Sequence, residues 1–245
     1  MSSDTIEFKD DKIVIHKKQV IDRLTGKITD EDIMLSKSLV DRNIANRMLT
    51  LDIMTGKGCQ GCSELNSEYF QKCTNRVLPY GNFSSNIMFV SKIPSVSECA
   101  STVTHSDAEG HTLMLILSRM GFSPDNLYFT DFIKCPSKAI SVDECLHCAM
   151  TYFAKEVYQI QPKAIVFQGI SAMNLLYENK ILLNPPDKVN YGIIYDSYFV
   201  TEDRPVKVIG LYDMDVVLKK EGADLQQCKN VIWHNLTSLV KTIQG

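Results

Sequence analysis

No apolar run in this sequence approaches the ~18 residues that a membrane-crossing helix requires. The opening residues, MSSDTIEFKDDK, lack the basic-then-apolar layout of a secretory leader. An excess of positive charge is missing as well: 26 Lys and Arg stand against 29 Asp and Glu, for a formal net charge of −3. That excludes a generally basic nucleic-acid coat, so any contact with DNA has to come from a local patch. Internal repeats and low-complexity tracts are also absent. These absences together lead us to expect an intracellular, cytoplasmic protein with no membrane partner. What the chain does have is length, with 245 residues, 44% of them hydrophobic and 22% charged. That is enough for one α/β domain and an extension. It also has eight cysteines, many for a reducing compartment, where disulfides are not expected. Metal is the first question the composition raises.

Residues 1–58 differ from the rest. Ile6, Phe8, Ile13 and Ile15 alternate with polar residues around Asp10-Asp11, which predicts a small hairpin. Asp30 or Asp32 is placed to cap a helix carrying Ile33, Leu39, Val40, Ile44 and Met48. We read 1–58 as an N-terminal extension and 59–245 as the main domain. In the main domain, apolar runs at 86–90, 127–133, 163–167 and 206–211 read as buried strands, with another at 193–200. Helical patterns cover 110–120, 142–161 (ended by Pro162), 171–177 and 222–243. Strands separated by helices predict a three-layer α/β/α sandwich around a parallel sheet.

Gly56-x-Gly58-x-x-Gly61 matches the dinucleotide fingerprint in letters, but the strand, helix and acidic residue it needs are missing. No nucleotide cofactor is expected, and the glycines read as room for a turn around a metal. Cys59-Gln-Gly-Cys62 is the stronger signal, because two thiolates two residues apart can grip one centre. Two completions are open. Cys145-Leu-His-Cys148 would give a second CxxC and a structural zinc site. Alternatively, Cys135 and Cys148 would close a four-thiolate set suited to a 4Fe–4S cluster. Cys73, Cys99 and Cys228 read as ordinary buried cysteines.

From Cys59 onward the chain resembles the iron–sulfur (family 4) uracil-DNA glycosylases. After a CxxC, that family has an "FVGEAPG" strand and loop, and here Phe89-Val-Ser-Lys-Ile-Pro-Ser95 occupies that place. Its "AG" opening a leucine-rich helix resembles Glu109-Gly110, and its "YxTNVVKC" resembles Tyr128-Phe-Thr-Asp-Phe-Ile-Lys-Cys135. Asp143-Glu144-Cys-Leu-His-Cys148 fits the next cysteine, Pro162 to Gly169 resembles "PKVIVxLG", and Val231 to Leu236 resembles "VWxDL". About 185 residues correspond in order. The resemblance implies a central four-stranded parallel sheet in the order 2-1-3-4. It also implies a structural 4Fe–4S cluster on Cys59, Cys62, Cys135 and Cys148, with Cys145 a neighbour of the cluster and not a ligand.

The family's catalytic motifs are altered at nearly every position. The carboxylate of "GEAPG" is replaced by Lys92, and the aromatic residue that stacks on uracil falls near His105. The Asn of "TNVVKC" becomes Asp131, and the His of "TYHPSYLL" becomes Asp213. These four, Lys92, His105, Asp131 and Asp213, are the pocket candidates, and we expect them around one crevice at the strand ends. The family's His assists the negative charge developing on the departing base. A carboxylate ~4 Å from that charge, at an effective dielectric of ~20, repels it by about 4 kcal/mol, or roughly three decades in rate. The expectation is a glycosylase-fold iron–sulfur protein without uracil excision, serving DNA replication or repair as an accessory. Its grip on DNA would be weak, and the extension would offer a partner interface. The alternatives are an active glycosylase for uracil or another modified base, and a purely structural metal module.

Overall fold

The structure, a computed structural model, describes residues 5–9, 12–21, 28–59, 75–137, 140–200 and 204–244. It divides into two units, Met1–Met48 and Leu49–Gly245. The first holds β1 (Thr5–Lys9), β2 (Lys12–Ile21) and β3 (Ile28–Ser36), antiparallel in that order. β1 and β2 make the expected hairpin, paired from Thr5↔His16 to Lys9↔Lys12. The helix α1 (Lys37–Thr55) starts later than its apolar spacing suggested, because Ile33 belongs to β3. There Ile33, Met34 and Leu35 stand opposite Ile15, Val14 and Ile13, a cross-strand match of apolar and β-branched residues that favours sheet over helix.

α1 ends in a Schellman turn. Gly56 donates its N–H to the Ile53 carbonyl at 3.1 Å and Lys57 donates to Asp52 at 3.0 Å. Gly56 has φ +68°, so the first glycine of the apparent fingerprint is a helix stop.

The second unit is built on a seven-stranded sheet in the order β4-β6-β5-β7-β10-β9-β8. β5 (Ile87–Ser91), β6 (Tyr128–Asp131), β7 (Ala164–Gln168) and β10 (Pro205–Leu211) form its parallel core, in the expected 2-1-3-4 arrangement. β4 (Tyr80–Gly81), β8 (Leu182–Leu183) and β9 (Ile194–Phe199) add antiparallel edges. β9 and β10 run antiparallel because the link between them is too short for a helical crossover.

Both faces of the sheet are covered, as the unbroken apolar runs require. Met88, Val90, Ile165 and Phe167 point to one side, into a core with Phe132, Ala149, Phe153 and Val157. Ile87, Phe89, Ala164 and Val166 point to the other, against Leu113, Leu117, Ile232 and Leu236. This period-two alternation fixes the strand register, since a slip of one residue would exchange the two cores. The covering helices are α2 (Val96–Ser101), α3 (Ala108–Arg119), α4 (Val142–Cys148), α5 (Ala154–Ile160), α6 (Ser171–Glu178), α7 (Met214–Leu218) and α8 (Gly222–Gln244). α4 runs into α5 through a π-helical turn at Ala149–Phe153.

Candidate functional site

The parallel strands β5, β7 and β10 end on a cavity of about 230 Å³. Open parallel sheets place ligands at this end. Its wall includes Ser91 at the end of β5, Lys92 and Ser95 from the loop that follows, Glu98 from α2, and His105, Asp107 and Glu109 around the start of α3. Gln168 ends β7, while Asp213 and Asp215 follow β10.

Glu98 organises this wall. With Ser95 it forms a capping box: the Ser95 N–H donates to Glu98 Oε2 at 2.7 Å, and the Glu98 N–H donates to Ser95 Oγ at 3.2 Å. The other Glu98 oxygen accepts from the His105 N–H, tying the loop after β5 to the segment before α3. His105 takes a left-handed conformation, φ +58°. Gly110 is what allows it, because a Cβ there would run into the His105 backbone.

His105 is buried, at 6% exposed, and its ring stands 5.2 Å from that of Phe129. It is therefore not the surface residue that an isolated histidine at a helix start suggests. Burial holds its pKa down to about 4, with Asp107 opposing in part, so the ring is neutral near pH 7. The surrounding hydrogen bonds assign its proton. Gln168 Nε2 donates to Ser91 Oγ at 2.9 Å, and Ser91 in turn donates to His105 Nε2 at 3.0 Å. The Gln168 amide also lies against that Nε2. The remaining proton sits on Nδ1, which meets Thr104 Oγ1 at 2.7 Å.

Of the four pocket candidates, Lys92, His105 and Asp213 share the cavity wall. Asp131 does not line it. It is 1% exposed at the end of β6, in register with Ser91 on the adjacent strand, so the expectation of all four around one crevice is corrected. The loop after β5 covers this position: Phe132 N–H donates to the Ser91 carbonyl at 2.7 Å and Ile133 N–H to the Lys92 carbonyl at 3.2 Å. Burial and the nearby Glu98 charge push the Asp131 carboxyl well above the usual range. Asp213 is raised too, by burial and then by Asp215, with Lys92 pulling the other way. Gly169, at φ +79°, leaves the space that the Asp213 carboxylate occupies.

Sequence reading missed Glu98, Gln168 and Glu109. Only Glu98 carried a signal, the Ser-x-x-Glu spacing of a capping box.

Behind Asp131 lies a second polar group. Lys134, 1% exposed, places Nζ 2.7 Å from Glu156 Oε2 and also donates to Thr130 Oγ1 at 2.5 Å and the Asp131 carbonyl at 2.7 Å. Glu156 Oε1 accepts from Tyr128 at 3.1 Å and Thr130 at 2.8 Å.

The cysteines lie on separate segments: Cys59 follows α1, Cys135 follows β6, and Cys148 ends α4. Cys59 and Cys148 pack against one cluster of Leu49, Ile53 and Tyr152. The Tyr152 hydroxyl donates to the Lys57 carbonyl at 2.8 Å and accepts from Cys59 Sγ at 3.1 Å, while His147 Nε2 meets the Gly58 carbonyl at 2.7 Å. Burial pushes the Cys148 thiol up to about 12, and Cys59 and Cys145 add to the push. Cys135 is buried one residue beyond Lys134. Cys145 is buried in the main core, and Cys62 and Cys73 lie outside the described residues. Cys99 is fully buried and disulfide-bonded, contrary to the expectation of reduced thiols throughout. Among the described residues no three His, Cys, Asp or Glu stand grouped as a metal ion would need. Cys59 and Cys148 pack against the same residues, but with Cys135 they do not form a group of three that could hold a metal ion. The set the resemblance implies needs Cys62 to complete it.

The sheet order and the cavity at its strand ends agree with an independent comparison. The family model of the uracil DNA glycosylase superfamily matches residues 78–237. The chain belongs to that superfamily. A search of the curated proteins gives no match. The superfamily domain therefore contains the cavity, Lys134, Cys135 and Cys148, while Cys59 precedes it.

Proposed function

We propose that this superfamily member does not excise uracil by stabilising the departing base as an anion, and that it serves DNA replication or repair as an accessory protein. The observation that carries this reading is the charge of the cavity. Where the superfamily chemistry needs a donor or a cation, the wall offers Asp213, with Asp215 two residues beyond it. His105 is neutral and its Nε2 is already taken by Ser91. Lys92 is the sole cation among the described lining residues. A carboxylate within ~4 Å of a developing anion costs about 4 kcal/mol of transition-state stability. Incubation with uracil-containing single- and double-stranded DNA at neutral pH is expected to release no uracil. Release that Asp213→Ala abolishes would overturn the reading.

The cavity is open and not filled by side chains, which favours one further reading: the protein removes a different base. An assay panel of modified bases in the same duplex separates the two, since an accessory releases none of them. The extension at residues 1–58 is the proposed partner interface. A pull-down comparing the full chain with a version lacking 1–36 is expected to lose the partner with the strands.

A 4Fe–4S cluster on Cys59, Cys62, Cys135 and Cys148 is part of the same proposal. The proximity of Cys59 and Cys148 and the pinning of 56–59 by Tyr152 and His147 support it. Such a group would supply a crosslink between the segment before the superfamily domain and the loop after β6. Anaerobically purified protein is expected to be brown, with iron and sulfide near four each. Cys148→Ser would lose the colour and Cys145→Ser would keep it. Stoichiometric zinc in a colourless anaerobic preparation would overturn the assignment.

A further inference from the structure

The cavity wall also indicates what charge its occupant should carry. Five carboxylates, Glu98, Asp107, Glu109, Asp213 and Asp215, face it, against Lys92. Asp215 has an exposed partner in Lys219 at 3.1 Å, but among the described residues no ion pair links Lys92 to any of the five. Asp131 adds an independent observation. It is in register with Ser91 on the neighbouring parallel strand, so both side chains project from the same face of the sheet, and Ser91 lines the cavity. It is almost fully buried and neither carboxylate oxygen has a partner within hydrogen-bond geometry; burial and the Glu98 charge of the wall push its carboxyl up, while Lys134 and the Thr104 hydroxyl oppose them in part. Burial also raises Glu98, Glu109 and Asp213, with Lys219 opposing it at Glu109 and Lys92 at Asp213.

A metal ion does not fit this arrangement. Among the described residues no three acidic or imidazole groups converge as a metal site needs, so the negative charge is spread around the cavity. Ile93 and Met214 add apolar surface to the wall, beside the polar Ser91, Ser95 and Gln168. Such a wall, acidic with some apolar surface, suits a small organic cation whose charge is delocalised. A volume of about 230 Å³ lies below the roughly 300–1,000 Å³ of drug-sized sites, leaving room for one small ring system.

We infer that the cavity takes a positively charged nucleobase, such as an N-alkylated purine, in preference to a neutral one. This rests on the reading that the cavity is the superfamily's base pocket. The chemistry is consistent with the charges. When the glycosidic bond of such a base breaks, its electron pair passes to the base nitrogen and the base leaves neutral. The sugar carries the positive charge until a water adds to C1′ and gives up a proton. No anion forms on the base, so Asp213 has nothing to repel, and carboxylates beside the sugar cation stabilise it.

The test is a titration of the full chain near neutral pH with N7-methylguanosine and N1-methyladenosine, both cationic, and with guanosine, adenosine and uridine. The cations are expected to bind at least about tenfold more tightly than their neutral parents. Asp213→Asn should remove most of that preference with the far-UV circular dichroism unchanged, and Glu109→Gln should remove part of it. Neutral nucleosides binding as tightly as the cations, or a preference that survives both substitutions, overturns the inference and leaves the base-pocket reading standing. Binding of no nucleoside at all overturns both. A duplex carrying N7-methylguanine, compared with the same duplex carrying uracil, then identifies the source. Release from the first alone assigns a base in DNA, and nucleoside binding without release assigns a free nucleoside.

Discussion

Asp131 and Glu156 are buried carboxylates near the same lysine, and the fold treats them in opposite ways. Glu156 has each oxygen engaged, by Lys134, Tyr128 and Thr130, and Lys134 spends its remaining donors on Thr130 and the Asp131 carbonyl. Asp131, at the end of the same strand, has neither oxygen hydrogen-bonded. The satisfied pair joins β6 to α5 across the core. The unsatisfied acid lies beside Ser91, at the edge of a cavity with five further carboxylates. A charge completed by partners holds elements together, whereas charges left without cations form a field that a ligand can complete. The two regions are adjacent in sequence, only Phe132 and Ile133 separating Asp131 from Lys134.

The largest effect expected is from breaking the satisfied side. Lys134→Met leaves Glu156 buried without its cation and should cost about 3–5 kcal/mol in a denaturant titration. Replacing both, Lys134→Met with Glu156→Leu, should recover much of that loss, because the desolvation of two charges is then avoided. A Lys134→Met protein as stable as the parent would mean that the pair contributes nothing.

The second effect is a pH dependence on the cavity side. The folded His105 has a pKa of about 4, below the ordinary 6.5, so the fold prefers its neutral form. Its stabilising contribution is present above pH 6.5 and is lost as pH falls from 6.5 toward 4, by at most about 3 kcal/mol. Glu98, Glu109 and Asp213 are shifted upward, which gives the opposite sign: their protonation favours the folded state as pH falls through their own range. Comparing the parent with His105→Gln across this window isolates the histidine, and the parent alone should show the added loss. Parallel curves would contradict the burial argument.

The third is smaller and concerns the cavity's frame. Alanine for glycine within a helix ordinarily stabilises by about 0.5–1 kcal/mol. At Gly110 the added Cβ meets the His105 backbone, so Gly110→Ala should destabilise by about 1–3 kcal/mol. A stabilised Gly110→Ala protein would show that His105 is free to move away.

How much of this could be read beforehand follows from the physics of each signal. The four parallel strands were legible because burial on both faces demands continuous apolar runs, and the helices because their periods were clear. The two-residue edges β4 and β8 were not, since Tyr80-Gly81 and Leu182-Leu183 are too short to carry a period. Ile33 was read into a helix because its strand partner lies eighteen residues earlier, at Ile15, beyond any local window. In the cavity, Lys92 and Asp213 were found as departures from a motif. The burial of Asp131 and the full occupancy of Lys134 depend on tertiary packing that no spacing announces. Glu98 was readable from its capping box, but that pattern alone says nothing of its hold on His105.

The central claim is that this cavity does not support a uracil anion. Its most direct test is the initial rate of uracil release from single-stranded DNA by the full chain at neutral pH, measured beside Asp213→His. The account predicts no release above the buffer control for the parent protein. It also predicts none for Asp213→His alone, because the remaining acids and the Lys92 substitution still stand and such groups act as a unit. Robust release by the unmodified protein, abolished by Asp213→Ala, would contradict it.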